Sequence, residues 1–269
     1  MNLEGARVVL RTRTPSEIFD LAVRFCASIG LSLYLRLAAI VLLPCAVATG
    51  ALHFYVSEGD WTITWTFAAL LAAFAQSVFT VAASRLLFEA KPKIGAILLH
   101  SLRRLPALFG ALLLHGMLLF AGVFIAIGSF FVWIWHAFLY EAVLLEQQGP
   151  VDALRRAGAL MKRKFGTGLV VCTGSATIVI LFIVCSEALG QGLFSFVLQL
   201  GQPFGDLRED GGTPFAVLGF FASLPLVATA RFLSYIDGRT RQDGWDIQLR
   251  FMSIAAGHEP DASSTEAAA

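Results

Sequence analysis

Charge is scarce in this sequence. Only 14% of its 269 residues are Asp, Glu, Lys or Arg, where an ordinary soluble domain carries about 25%. Those few lie in clusters between long uncharged stretches rather than along helix faces. Cysteine is scarcer still. Cys26, Cys45, Cys172 and Cys185 stand singly in apolar sequence, which argues against a disulfide framework or a paired zinc site and leaves them as small apolar residues. There is no P-loop, no Gly-x-Ser-x-Gly elbow and no His-Glu-x-x-His, so no catalytic residue, metal or other cofactor is indicated. Asp206, Glu209 and Asp210 beside Gly211 and Gly212 lack the spacing of a calcium loop and read as an ordinary exposed loop. A net charge of +1 argues neither for nor against an acidic partner, since the total hides a strong segregation of charge, and nucleic acid is not expected as a partner. The first 32 residues hold Glu4, Arg7, Arg11, Arg13, Glu17, Asp20 and Arg24 without the uninterrupted apolar core of a secretory signal; the first apolar span is therefore expected to stay in the protein.

What the chain does have is apolar length. Hydrophobic residues make up 57% of it, and the mean hydropathy is +0.73. A bilayer core needs about 20 apolar residues of helix, since only a helix satisfies its own backbone there. Six stretches qualify: 37–56, 62–84, 106–127, 129–145, 166–185 and 214–235. The third and fourth come from one long run whose only charge is Glu141, with Gly128 and Ser129 as its natural corner. The sixth is short, and Arg231 is expected to snorkel at its inner boundary.

The basic residues test that count. Five precede the first span (Arg7, Arg11, Arg13, Arg24, Arg36), five separate the second from the third (Arg85, Lys91, Lys93, Arg103, Arg104), and five separate the fourth from the fifth (Arg155, Arg156, Lys162, Arg163, Lys164). Arg231, Arg239, Arg241 and Arg250 lie at or beyond the end of the sixth, which leaves only Arg208 on the other side. By the positive-inside rule both termini are then cytoplasmic, and an odd number of spans would break the alternation. The expected fold is all-α: a polytopic membrane protein of six transmembrane helices arranged as three hairpins. Residues 1–255 form one integral membrane domain ending in a cytoplasmic motif at 235–251, and 256–269 is expected to be disordered.

Each odd span is preceded by a proline, Pro15, Pro92 or Pro150, expected to open a short basic amphipathic helix lying in the interface. Thr14, Pro15 and Glu17 form a capping box, after which Ile18, Ala22, Phe25 and Ile29 share a face. Beyond Pro150, Ala153, Leu154, Ala157, Leu160 and Met161 do the same.

Three motifs carry a resemblance. Ser16-Glu17-Ile18-Phe19-Asp20-Leu21-Ala22 is similar to an opening Gly-Glu-Ile-Leu-Asp-x-Ala. Glu146-Gln147-Gln148-Gly149-Pro150 with Ala153-Leu154-Arg155-Arg156 is similar to a central loop in which a glutamate ends the fourth span and Gly-Pro starts a basic helix. Tyr235-Ile236-Asp237-Gly238-Arg239-Thr240-Arg241 with Gly244-Trp245-Asp246 is similar to a closing Tyr-x-Asp-x-Arg-x-Arg and Gly-Phe-Asp. Together they resemble the glycerophosphoryl diester phosphodiesterase membrane domain family and its uncharacterised bacterial relatives. The sequence departs from the family in having Ile127-Gly128-Ser129 where a Pro-Gly corner is common. The resemblance implies an accessory module of a bacterial inner membrane with no established activity. The phosphodiesterase activity of that family resides in an additional soluble barrel domain, which these 269 residues do not hold.

Two groups of residues are candidates for function. Ionisable side chains within a span cost roughly 2.5–3.5 kcal/mol at the bilayer centre, so His115, His136 and Glu141 invite a role. As a proton relay or substrate contact, an imidazole would meet the carboxylate; as structure, they form an interhelical hydrogen bond. His136 and Glu141 lie about 140° apart on a continuous helix and would not share a face. The second group is Asp237, Arg239, Arg241 and Asp246 with Asp243. They are either a cytoplasmic docking site for a protein partner or contacts to lipid headgroups. Gln76, beside Ala68, Ala69, Ala72 and Ala73, reads as packing glue. Trp61, Trp65, Trp133 and Trp135 read as headgroup anchors. Three functions follow: a non-catalytic scaffold or accessory subunit with a partner at its cytoplasmic face, a transporter or lipid-handling protein using polar groups in the spans, or, with least support, a membrane enzyme.

Overall fold

The structure, a computed structural model, describes residues 14–243 except 58, 90, 126, 163, 164 and 202, and only the backbone of 241–243. Among these residues every regular element is a helix. The expected capping box is present at the start of α1 (Pro15–Arg24). The Thr14 hydroxyl accepts from the Glu17 N–H, and the Glu17 carboxylate accepts from the Thr14 N–H at 3.2 Å. Ile18 and Ala22 are buried, as is Phe25 in the π-helical turn that continues to Ile29. Thr14→Ala is expected to cost about 1 kcal/mol, read as a lowered unfolding midpoint in detergent.

Helix α2 (Leu31–Tyr55) contains a π-helical segment, Ala38–Leu42, immediately before Pro44. The proline ring lacks an N–H and crowds the carbonyl four residues back, and a widened turn makes room for it. Helix α3 (Trp61–Phe88) is capped by Asp60, whose side chain accepts from the Thr62 N–H at 2.7 Å. Then come α4 (Ile94–Val123), α5 (Gly128–Trp135), α6 (Leu139–Leu144), α7 (Pro150–Met161), α8 (Phe165–Gly192, extended as a π turn to Val197), the short α9 (Leu207–Asp210) and α10 (Pro214–Asp243).

Five helices, α2, α3, α4, α8 with its extension and α10, are long and apolar enough to cross a membrane. The expected fourth span is different. Its stretch, Gly128–Leu144, is shorter and is interrupted at His136–Phe138, giving two short helices. The turn before it is tight. Ser129 Oγ donates to the Leu119 carbonyl at 2.8 Å, and a Cβ at Gly122 would collide with the Ser129 backbone.

A second difference concerns Pro92. Pro15 and Pro150 each start a separate helix, but the segment after Pro92 forms no helix of its own. It is the beginning of α4, which runs unbroken through Pro106. A single missing hydrogen bond inside a long apolar helix is tolerated, whereas a new helix end would strand several backbone groups.

Two helices form the centre. In α10 and α3, 67% and 56% of the most apolar stretch is buried, against 28% or less in α2, α4 and α8. Helix α10 packs along α8 and α3 and is crossed by α1. The peripheral helices turn Phe54, Leu113, Phe120 and Ile180 outward, each more than half exposed. An exterior of this kind suits lipid and would aggregate in water. The architecture is compatible with a multi-pass membrane protein.

Candidate functional site

Polar groups concentrate where α10 meets the broken fourth stretch. Arg231, Tyr235 and Arg239 recur every four residues and so line one face of α10. Opposite them stand Glu141 and Glu146. The deeper rung pairs Arg231 with Glu141, Nη2 to Oε2 at 3.8 Å, with the Glu141 side chain wholly buried and that of Arg231 18% exposed. Arg231 Nη2 also donates to the Ala137 carbonyl, within the interruption between α5 and α6, where helical pairing lapses and carbonyls seek other donors. Its guanidinium lies over the Tyr140 ring, 5.2 Å from the centroid. Arg231 therefore does not snorkel outward as expected. A buried carboxylate outcompetes the interface for it. The pair is still incompletely satisfied: neither Glu141 oxygen nor Arg231 Nε has a hydrogen-bond partner among the described residues.

The imidazoles do not reach this carboxylate. His115 and His136 meet each other edge to face, with ring centroids 5.1 Å apart. His136 Nδ1 lies 3.0 Å from the Val132 carbonyl, and because a carbonyl only accepts, that nitrogen carries the proton. His115 Nδ1 is buried without a partner among the described residues. The helical-angle argument that separated His136 from Glu141 assumed a continuous helix, and the chain breaks between them. Arg231 decides the partnership instead.

The outer rung is better satisfied. Glu146, 11% exposed, accepts from Tyr235 Oη at 2.7 Å and from Arg156 Nε at 2.7 Å, with Arg239 Nη1 3.7 Å away. Arg239 also approaches Tyr235 Oη at 3.5 Å. Residues of the central loop and of the closing motif thus form one cluster across 89 positions of sequence. Asp237 is buried at 6% exposure. The Arg241 side chain and Asp246 lie outside the described residues.

Beside this cluster opens a cavity of about 750 Å³. Arg85 of α3, its C-cap Glu89, His100 of α4, and Glu146, Tyr235 and Arg239 supply polar lining, beside apolar residues that include Phe88 and Phe232. Arg85 and Glu89, four residues apart across the end of α3, approach to 3.9 Å. His100 Nε2 donates to the Leu144 carbonyl at 3.0 Å, tying α4 to the end of α6. Sequence reasoning missed this cavity and its three residues from α3 and α4. Glu141, Glu146, Tyr235 and Arg239 were singled out in the sequence, but not as neighbours.

The remaining polar candidates are structural. Trp61 stacks on His53 at 3.9 Å, Trp65 Nε1 donates to the Gly211 carbonyl at 3.0 Å, and the Trp135 indole lies against Gly158. Cys26, just outside α2, points its thiol at Thr229 Oγ1 at 3.5 Å. Burial pushes that thiol's pKa up, against the lowering effect of the hydroxyl. Among the described residues no three His, Cys, Asp or Glu side chains are placed to hold a metal ion. No family model, curated protein or solved structure matches the chain.

Proposed function

We propose that this chain is a non-catalytic, lipid-handling membrane protein that binds a phospholipid at the cytoplasmic end of its helices. The supporting observation is the cavity of about 750 Å³, which combines ionic side chains with apolar residues beside the C-terminal ends of α3 and α10. In this reading the broken α5–α6 stretch completes a sixth crossing, which keeps the basic segments on one side and both termini cytoplasmic. In the same reading α1 and α7 lie in the interface and the membrane is a bacterial inner membrane, as the resemblance in sequence motifs implies. The other reading, a scaffold whose closing motif docks a partner, has less support: Asp237 is buried and Arg239 is turned onto Glu146 and Tyr235.

The test is native mass spectrometry of the protein purified in mild detergent. Wild type is expected to retain phospholipid through delipidating washes. Arg85→Ala, which removes a cation from the cavity rim, is expected to lower retention about 10-fold or more, because a charge-assisted hydrogen bond to phosphate is worth about 1.5–3 kcal/mol. Equal retention by the two proteins would overturn the proposal.

A further inference from the structure

The cavity's charges specify more than lipid in general. Two of its four ionic groups are already engaged: Glu146 accepts from Tyr235 and Arg156, and Arg239 lies against Glu146 and Tyr235. Arg85 and Glu89 differ. Their contact with each other is 3.9 Å, beyond hydrogen-bond range, and their side chains are 28% and 48% exposed. They present one guanidinium in the last turn of α3 and one carboxylate at the residue that caps it, with the two side chains 3.9 Å apart. A purely anionic headgroup would pair with Arg85 and be repelled by Glu89. A ligand carrying a phosphate and an ammonium joined by two carbons matches both at once.

A second hollow identifies the rest of the ligand. Between α3 and α4, with no lining residue in common with the cavity, lies an opening of about 680 Å³ lined only by apolar residues, from Leu70 to Phe74 on one side and Leu105 to Phe120 on the other. It follows α4 from Leu105 to Phe120, about 22 Å of helix. A soluble phosphate ester would have no use for it, and an acyl chain would fill it.

We infer that the cavity and this hollow together bind one zwitterionic aminophospholipid, its phosphate held by Arg85, its primary ammonium by Glu89 and one acyl chain lying along α4. The inference rests on the lipid-handling reading and specifies its ligand. Arg85 makes charge-assisted bonds to phosphate oxygens, and the ammonium donates to the Glu89 carboxylate. A quaternary ammonium has no proton to donate, so a choline headgroup loses that bond while keeping the same net charge.

The experiment equilibrates full-length protein in detergent with equal amounts of phosphatidylethanolamine, phosphatidylglycerol and phosphatidylcholine of identical acyl chains. Retained lipid is then measured by native mass spectrometry. Wild type is expected to retain phosphatidylethanolamine about 10-fold over each of the others. Glu89→Gln is expected to keep a bound phospholipid while losing the preference, and Gly116→Trp, which obstructs the apolar hollow, to retain less lipid of every class. Size-exclusion elution identical to wild type shows that the variants are folded. Phosphatidylglycerol retained equally or better, or an undiminished preference in Glu89→Gln, overturns the headgroup assignment while leaving lipid handling in place. Competition by soluble phosphoethanolamine as effective as by the whole lipid overturns the acyl-chain assignment. No lipid retained above the Arg85→Ala background removes both this inference and the reading beneath it.

Discussion

Arg231→Met is expected to destabilise the protein by about 3–5 kcal/mol, the usual consequence of stranding one member of a buried ion pair. The carboxylate of Glu141 is wholly buried, and its neutralising partner is the Arg231 guanidinium at 3.8 Å. With the cation removed, the carboxylate must take up a proton or draw in water, and either outcome loosens the contact between α10 and the broken stretch. The double variant Arg231→Met/Glu141→Leu is expected to recover most of the loss, since a desolvated ion pair gains little over well-packed apolar groups. Equilibrium unfolding in a fixed detergent, analysed as a double-mutant cycle, measures the coupling. A double variant as unstable as the single one would show that Arg231 acts through Ala137 and Tyr140 rather than through Glu141.

The second large effect is steric. Gly219 of α10 faces α8 so closely that a Cβ there would overlap the Phe182 carbonyl, the Ile183 Cα and the Ser186 side chain. Backbone atoms cannot rotate aside as a side-chain end can. Gly219→Leu is therefore expected to push apart the two helices that pack most extensively, at a cost of about 3 kcal/mol, the upper end of the usual overpacking penalty. The favourable helix propensity of leucine over glycine, about 1 kcal/mol, does not offset it. Gly192→Leu on α8, where a Cβ meets open space, serves as the matched control and is expected to leave stability unchanged or raise it by up to about 1 kcal/mol through helix propensity. Equal effects of the two substitutions would rule out close approach as the cause.

Helix existence was legible because it depends on local properties. An uncharged run such as 62–84 has no stable form in lipid except a helix, and the Thr14–Glu17 box needs only four consecutive residues. The partial failures have the same origin. The helical-wheel argument about His136 and Glu141 was sound for a continuous helix, but it could not foresee that the backbone would break at His136–Phe138. Pro92 and Pro106 offered two places to begin a helix, and local sequence favoured the later one as the start of the span. The longer helix prevailed because continuing through one proline strands fewer polar groups than ending.

The candidate site was legible only in fragments. His115, Glu141 and Arg239 stood out as polar residues in or near apolar sequence, and the resemblance drew attention to Glu146 and Tyr235. Their partnerships were hidden, since Tyr235 and Glu146 are 89 residues apart and nothing in either segment names the other. Arg85, Glu89 and His100 carried no signal, because an ordinary loop boundary contains the same residue types.

By itself, then, the sequence determined that this protein is built of long apolar helices and where the charged segments between them fall. These follow from burial, backbone satisfaction and charge segregation, which act over a few to about 20 residues. The tertiary structure alone decided that Arg231 turns inward to Glu141, that His115 meets His136, and that α3, α4 and α10 enclose a cavity with Arg85 and Glu89 at its rim. Those outcomes depend on which helices become neighbours and at what register. That choice is made by packing over the whole chain, where one close glycine contact or one helix break outweighs any local preference.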